Sequence, residues 1–275
     1  MEVYVDDMIT KSKIPKEHVE HLEETFGLLK KYKIKLNPEK CAFGVESGKF
    51  LGFMVSHRGI ETNPEKIQPI VQMRSPRNLK EMQSLTGKLA ALNRFISKAT
   101  DKCQPFFQVI RRGKKTEWTP ECEEAFQNLK QYLQQAPLLS TPRDVDKLFL
   151  YLAVSDRATS SVLVREEERV QNPIYYTSKV LLDAETRYPP LEKWVLALVV
   201  AARKLRPYLQ AFPISVITNQ PLRQVLHKPD AYGWLVKWTI ELSKFDIDYK
   251  PRAAIKAQAV ADFVAEFAEP EVYLD

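Results

Sequence analysis

Two adjacent carboxylates, Asp6 and Asp7, stand between a β-prone run at 3–5 and a short apolar stretch at 8–10. A strand–turn–strand hairpin would bring both side chains to one volume. Acidic, oxygen-only ligands suit Mg²⁺, and a metal pair at such a place activates a hydroxyl and steadies a leaving pyrophosphate. A bare Asp-Asp pair is also the composition of an ordinary acidic β-turn. A second stretch with chemistry in it is "FFQVIRRGKKTEW" at 106–118, where Arg111, Arg112, Lys114 and Lys115 follow aromatic residues. Cations there would meet a nucleic-acid backbone, since phosphate contacts supply affinity without reading sequence. They are equally suited to a solvated helix end, where the dipole favours positive charge. His18 and His21 share a helix face without a third ligand, and His57 and His227 lie apart. Cys41, Cys103 and Cys122 are odd in number and widely spaced, which fits neither a zinc site nor a disulfide framework and points to a reducing compartment.

The elements that must position these groups follow from periodicity. The chain has 275 residues, of which 44% are hydrophobic, enough for about two domains with cores of their own. A net charge of +6 mildly favours an anionic partner. The longest apolar run, "WVLALVVAA", is too short to span a bilayer, and the amino terminus has no signal-peptide character. "KEHVEHLEETFGLLKKYK" places Val19, Leu22, Phe26 and Leu29 at helical spacing, and the glycine-punctuated stretch after it predicts two or three short strands. Helices are expected from Asn63-Pro64 to Met73, then over 78–96, 103–111 and 119–135. The last has Thr119 as N-cap and Pro120 at its first position. "QQAPLLSTPRDVDK" reads as a linker. Beyond it come three strands ("LFLYLAV", "SSVLVRE", "PIYYTSK"), a helix over 189–209, a strand in "PISVITN", helices near 221–226 and 231–243, a strand in "FDIDYKP" and a last helix in "KAQAVADFVAEFA". That order predicts an α/β domain with a mixed five-stranded sheet. Trp194, Trp234 and Trp238 are expected in its core, being spaced helically among Leu and Val.

The flanks of the doublet extend the argument. "VYVDDMI" resembles the Tyr-x-Asp-Asp hairpin of reverse transcriptases. "KEHVEHLEETFGLLKKYKIKLNPEKCAFG" is similar to that family's last palm helix and following strand, "KFLGFMVSHRGIETNPEKI" to its primer-grip hairpin, and "MRSPRNLKEMQSLTGKLAALNRFI" and "TEWTPECEEAFQNLKQYL" to its thumb and connection helices. From Lys147 onward the chain resembles an RNase H-like domain. Taken together it resembles the carboxy-terminal part of a reverse transcriptase from gypsy-class LTR retrotransposons of plant type.

The resemblance implies a palm β-hairpin remnant at 1–60, a helical thumb/connection at 61–136, a linker at 137–146, an RNase H-like domain at 147–268 and a tail at 269–275. It also implies Mg²⁺ in the ancestral enzyme, and an RNA–DNA hybrid or template–primer as partner. The polymerase metal site of the family uses a third aspartate upstream of the doublet. Asp6 and Asp7 are therefore expected to be frayed and inactive here, and to hold metal only beside an upstream palm. RNase H enzymes hold two Mg²⁺ ions with about four acids. By resemblance those positions fall on Ala153, Glu192, Asn219 and Asp262, so two acids are replaced, with Asp156 three residues beyond the first. Glu192 is also an acid of a first helical turn, where the dipole favours it, and Asp262 also fits a solvated helix face. The expectation is a retrotransposon Pol polyprotein fragment that contacts nucleic acid, binds no metal and is catalytically silent. It would be intracellular, in cytoplasm or a virus-like particle, with polymerase sequence upstream and a second nuclease domain downstream in the full polyprotein. The alternatives are a residual Mg²⁺-dependent hybrid ribonuclease using Asp156, Glu192 and Asp262, and a domesticated interaction protein.

Overall fold

A computed structural model describes residues 1–12, 14–112, 117–135, 137–143, 145–168, 170–226 and 233–252. They form two compact units that divide between Asn63 and Pro64.

In the first unit β1 (Glu2–Tyr4) and β2 (Asp7–Ile9) pair antiparallel, Tyr4 opposite Asp7. The hairpin is thus formed rather than frayed. Helix α1 (His18–Lys31) ends on Lys30 and Lys31, where cations suit the dipole. Its buried residues are Thr25 and Leu29, while Val19 and Phe26 of the expected apolar face are 63% and 43% exposed. The periodicity located the apolar stripe correctly, but little in this small unit covers it. Thr25 turns inward because its hydroxyl donates to the His21 carbonyl at 2.7 Å and meets the Thr10 hydroxyl at 3.3 Å. The strands β3 (Ser47–Phe50), β4 (Phe53–Ser56) and β5 (Gly59–Thr62) form an antiparallel meander. The β3–β4 turn places Leu51 at φ 51° and Gly52 at φ 75°, the two left-handed residues a two-residue hairpin loop requires.

The second unit begins with five helices: α2 (Pro64–Val71), α3 (Leu79–Ala91), α4 (Ala99–Lys102), α5 (Gln104–Arg112) and α6 (Pro120–Gln134). Asn78 caps α3 through the Glu81 amide at 2.9 Å and donates back to its carboxylate at 2.9 Å. Thr119 caps α6 ahead of Pro120, as the sequence predicts. Ile70, Met82, Leu85, Leu92, Phe106, Phe126 and Leu129 interlock as their core.

A five-stranded mixed sheet follows. Its strands are β6 (Leu148–Val154), β7 (Ala158–Glu167), β8 (Val170–Val180), β9 (Ile214–Ile217) and β10 (Ile247–Lys250), in spatial order β10-β9-β6-β7-β8. β6, β9 and β10 run parallel; β7 and β8 complete an antiparallel meander with β6. Pro173, on the edge strand β8, cannot donate to a ladder, and the register slips beside it, opposite Leu163/Val164 of β7. Helix α7 (Pro190–Lys204) lies on the sheet against Leu148, Leu150, Leu152 and Leu163, with every residue from 195 to 202 buried. The helix expected over 189–209 breaks at Leu205, and α8 (Arg206–Ala211) follows; Pro207 has no amide to continue the ladder. Two more helices, α9 (Leu222–Leu226) and α10 (Trp234–Leu242), follow among the described residues, and the last helix expected, in "KAQAVADFVAEFA", lies outside them. Trp238 is buried and Trp194 packs against the core, but Trp234 is 59% exposed beneath the Lys237 ammonium, 4.7 Å from its ring centroid. The expectation that all three tryptophans are core residues fails at Trp234 because α10 presents that face outward.

The stretch read as a linker is sewn to the sheet. Leu139 is fully buried, the Ser140 amide donates to the Pro173 carbonyl at 2.7 Å, and the Arg165 guanidinium donates to the Thr141 carbonyl at 2.9 Å.

Candidate functional site

The doublet sits on the tight turn between β1 and β2, with Val5 at φ 52°, a backbone region that a β-branched residue seldom enters. Asp6 and Asp7 are both exposed. They do not play the same part: Asp7 Oδ2 accepts the Leu51 amide at 2.9 Å, so this carboxylate fastens the β3–β4 turn to the doublet.

Two of the positions that the resemblance assigns to acids, Ala153 and Asn219, lie at the carboxyl ends of the parallel strands β6 and β9, where open α/β sheets form their crevices. Ala153 is buried in β6 opposite Ser160, and alternation turns it away from the Leu150 and Leu152 face that packs on α7. Glu192 is half-buried in the first turn of α7. Asn219, just past β9, is exposed and accepts the Arg252 amide through Oδ1 at 2.9 Å. The Arg252 side chain reaches across to β6, where Nη2 donates to the Leu152 carbonyl at 3.2 Å, and its guanidinium carbon lies 5.8 Å from the Trp194 ring centroid. Burial pulls the Arg252 guanidinium below its ordinary pKa, partly offset by Tyr151. The same burial, eased by the Gln171 hydrogen bond, raises the Tyr151 phenol. Asp262, Lys114 and Lys115 lie outside the described residues, and Arg111 and Arg112 form the last turn of α5.

Asp156 is exposed in the β6–β7 turn, two residues past the carboxyl end of β6. It lines a cleft of about 590 Å³ together with Asp101, Gln104, Asp183, Thr186 and Lys193. Asp101 Oδ1 accepts the Ser155 hydroxyl at 3.0 Å there. Sequence reasoning missed Asp101, Asp183 and Arg252. Only Arg252 left a signal, a cation directly behind the final strand.

The donor set does not fit a two-metal centre. By the resemblance one acid position is an alanine and a second is an asparagine, whose oxygen is engaged by a backbone amide, and a guanidinium bonds to β6, the strand that carries the alanine. Among the described residues no three His, Cys, Asp or Glu side chains are grouped to hold a metal. His18 and His21 instead share one hydroxyl, with Ser12 Oγ 2.9 and 2.7 Å from their Nδ1 atoms.

The order of elements is similar to that of a reverse-transcriptase segment followed by an RNase H-like domain. Residues 1–55 match the reverse transcriptase (RNA-dependent DNA polymerase) family, and residues 118–216 match the RNase H-like domain found in reverse transcriptase. The Tf2-3 and Tf2-7 transposon polyproteins of Schizosaccharomyces pombe are each 26% identical to this chain over 97% of its length. The chain spans 21% of the length of each of those relatives. Among solved structures, the foamy viral protease-reverse transcriptase in complex with RNA/DNA hybrid superposes with a TM-score of 0.79, at 23% identity over 93% of this chain and 36% of the other. The same viral protein in complex with dsDNA gives 0.73, at 24% identity over 93% of this chain and 55% of the other. This chain thus carries the reverse transcriptase and RNase H-like parts of a retrotransposon-type polyprotein.

Proposed function

We propose that the chain serves as a nucleic-acid-contacting part of a gypsy-class, plant-type Pol polyprotein, and that its RNase H-like domain does not cleave. The observation that carries the reading is the donor set at the strand ends, where Ala153 and Asn219 supply no charge and Asn219 is bonded to Arg252. Two dications near one another need anionic oxygen to offset their repulsion, and the ancestral Mg²⁺ sites lack it here. Asp6 and Asp7 are the retained half of a polymerase site, completed only by an upstream palm strand. An RNA–DNA hybrid or template–primer is the partner, with Arg111, Arg112, Lys114 and Lys115 meeting its phosphates. Support comes from the net charge of +6 and from the hybrid-bound viral structure that shares the fold. The free thiols of Cys41, Cys103 and Cys122 favour an intracellular setting, cytoplasm or a virus-like particle.

The test pairs binding with cleavage. Fluorescence anisotropy with a labelled RNA–DNA hybrid should show salt-dependent binding that weakens when the four cations at 111–115 become glutamine. The same hybrid should stay intact in Mg²⁺ or Mn²⁺. Cleavage abolished by Glu192→Gln would overturn the reading in favour of a residual ribonuclease.

A further inference from the structure

The crevice at the carboxyl ends of β6, β9 and β10 is held by one side chain from the end of the sheet. β6 pairs with β9 only over Leu148–Tyr151, so the last three residues of β6 run past the end of that ladder. β10 is separated from β6 by β9, a lateral distance of roughly 10 Å at the usual strand spacing. Arginine and lysine are the side chains long enough to approach that span, and Arg252 makes it. Its backbone amide binds Asn219 behind β9, its Nη2 binds the open Leu152 carbonyl on β6, and its plane lies near Trp194 on α7.

Those three contacts coincide with, or flank, the three described positions at which the resemblance expects acids: Asn219 itself, Leu152 next to Ala153, and Trp194 two residues from Glu192. We infer that Arg252 is the resident cation of this crevice. Its guanidinium takes the place of the metal charge and excludes divalent ions, and the residue ties the ends of β6 and β9 together, through Nη2 on one and its backbone amide on the other. This rests on the reading of the domain as non-cleaving and supplies its physical cause. The loss of two carboxylates and the presence of a fixed positive charge form one matched change, because a guanidinium needs no multidentate anionic cage. A carbonyl and an aromatic face seat it, while the backbone amide of the same residue holds the Asn219 side chain.

The experiment uses the full chain and Mn²⁺, followed by electron paramagnetic resonance, with circular dichroism confirming the fold of each variant. Restoring both acids with A153D/N219D while keeping Arg252 should give Mn²⁺ affinity at least about tenfold weaker than the triple variant A153D/N219D/R252A. A153D/N219D/R252K keeps the charge and should bind as weakly as the double variant, which separates charge exclusion from loss of fold. Equal affinity in double and triple variants, or no Mn²⁺ binding in the triple variant, would overturn the assignment. Hybrid cleavage by the unsubstituted chain would instead overturn the non-cleaving reading, so the two failures are distinguishable.

Discussion

Replacing Glu123 by alanine should destabilise the helical part of the second unit by about 2 kcal/mol. The Glu123 carboxylate accepts three bonds from three segments: the Ser75 hydroxyl at 2.6 Å, the Trp118 indole N–H at 2.6 Å and the Gln127 amide at 2.7 Å. Trp118 in turn stacks on Phe106 at 5.6 Å and meets Phe126 edge-on at 5.6 Å, so this polar clasp sets the lid of the core. Bonds to a charged acceptor contribute about 1.5–3 kcal/mol each when dry. Glu123 is only half-buried, and solvent screening cuts the sum to about 2 kcal/mol. At this domain size that corresponds to roughly 4–8 °C in Tm. The hydrogen bonds hold the Glu123 carboxyl below its usual value of 4.5, Ser75 contributing most. A folded pKa below the unfolded one gives stability that is fully present above the unfolded value and lost as pH falls through the folded value. Urea denaturation of the parent and Glu123→Gln, compared from pH 7 to pH 3, should therefore show a gap that is constant down to about pH 5 and narrows below 4.5. A gap unchanged at pH 3, or Glu123→Ala indistinguishable from the parent at pH 7, would refute the reasoning.

Asp7→Ala should speed hydrogen exchange of the Leu51 amide several-fold, whereas Asp7→Asn, which keeps an acceptor, should leave it protected; both are read by amide exchange. Leu150→Ala, in the fully buried layer between β6 and α7, should cost about 3 kcal/mol in chemical denaturation. Arg203→Ala breaks a fork to Glu241 with both distances at 2.7 Å, yet the arginine side chain is 56% exposed. Its loss should cost less than about 1 kcal/mol, and that loss should shrink further in high salt.

Much of the architecture could be read from the chain. Thr119-Pro120 marks the start of α6 because cap and first-turn proline act locally, and the three-strand, helix, strand, helix order foretells a mixed sheet because connection length limits pairing. Other features depend on what lies across from a residue. The spacing of Val19 and Phe26 names an apolar stripe but cannot say whether anything covers it, and the same holds for Trp234. Asp7 and Leu51 meet across 44 residues of sequence. Arg252 gains its meaning only because the sheet order brings segments at 152, 194 and 219 to one place. The resemblance puts alanine and asparagine at two acid positions, 153 and 219, but it assigns no part to Arg252.

The attachment of Leu139, Ser140, Thr141 and Asp146 to the sheet bears on how the second unit can be dissected. Arg165 is almost wholly enclosed, and its neighbours include the Thr141 carbonyl at 2.9 Å and the Asp146 carboxylate at 3.7 Å. An excised domain starting at Lys147 would strip both from an interior guanidinium and leave Glu167 as its remaining anionic neighbour. A cation trapped that way is heavily penalised, so a soluble excised form has to begin ahead of Leu139, carrying its own strap.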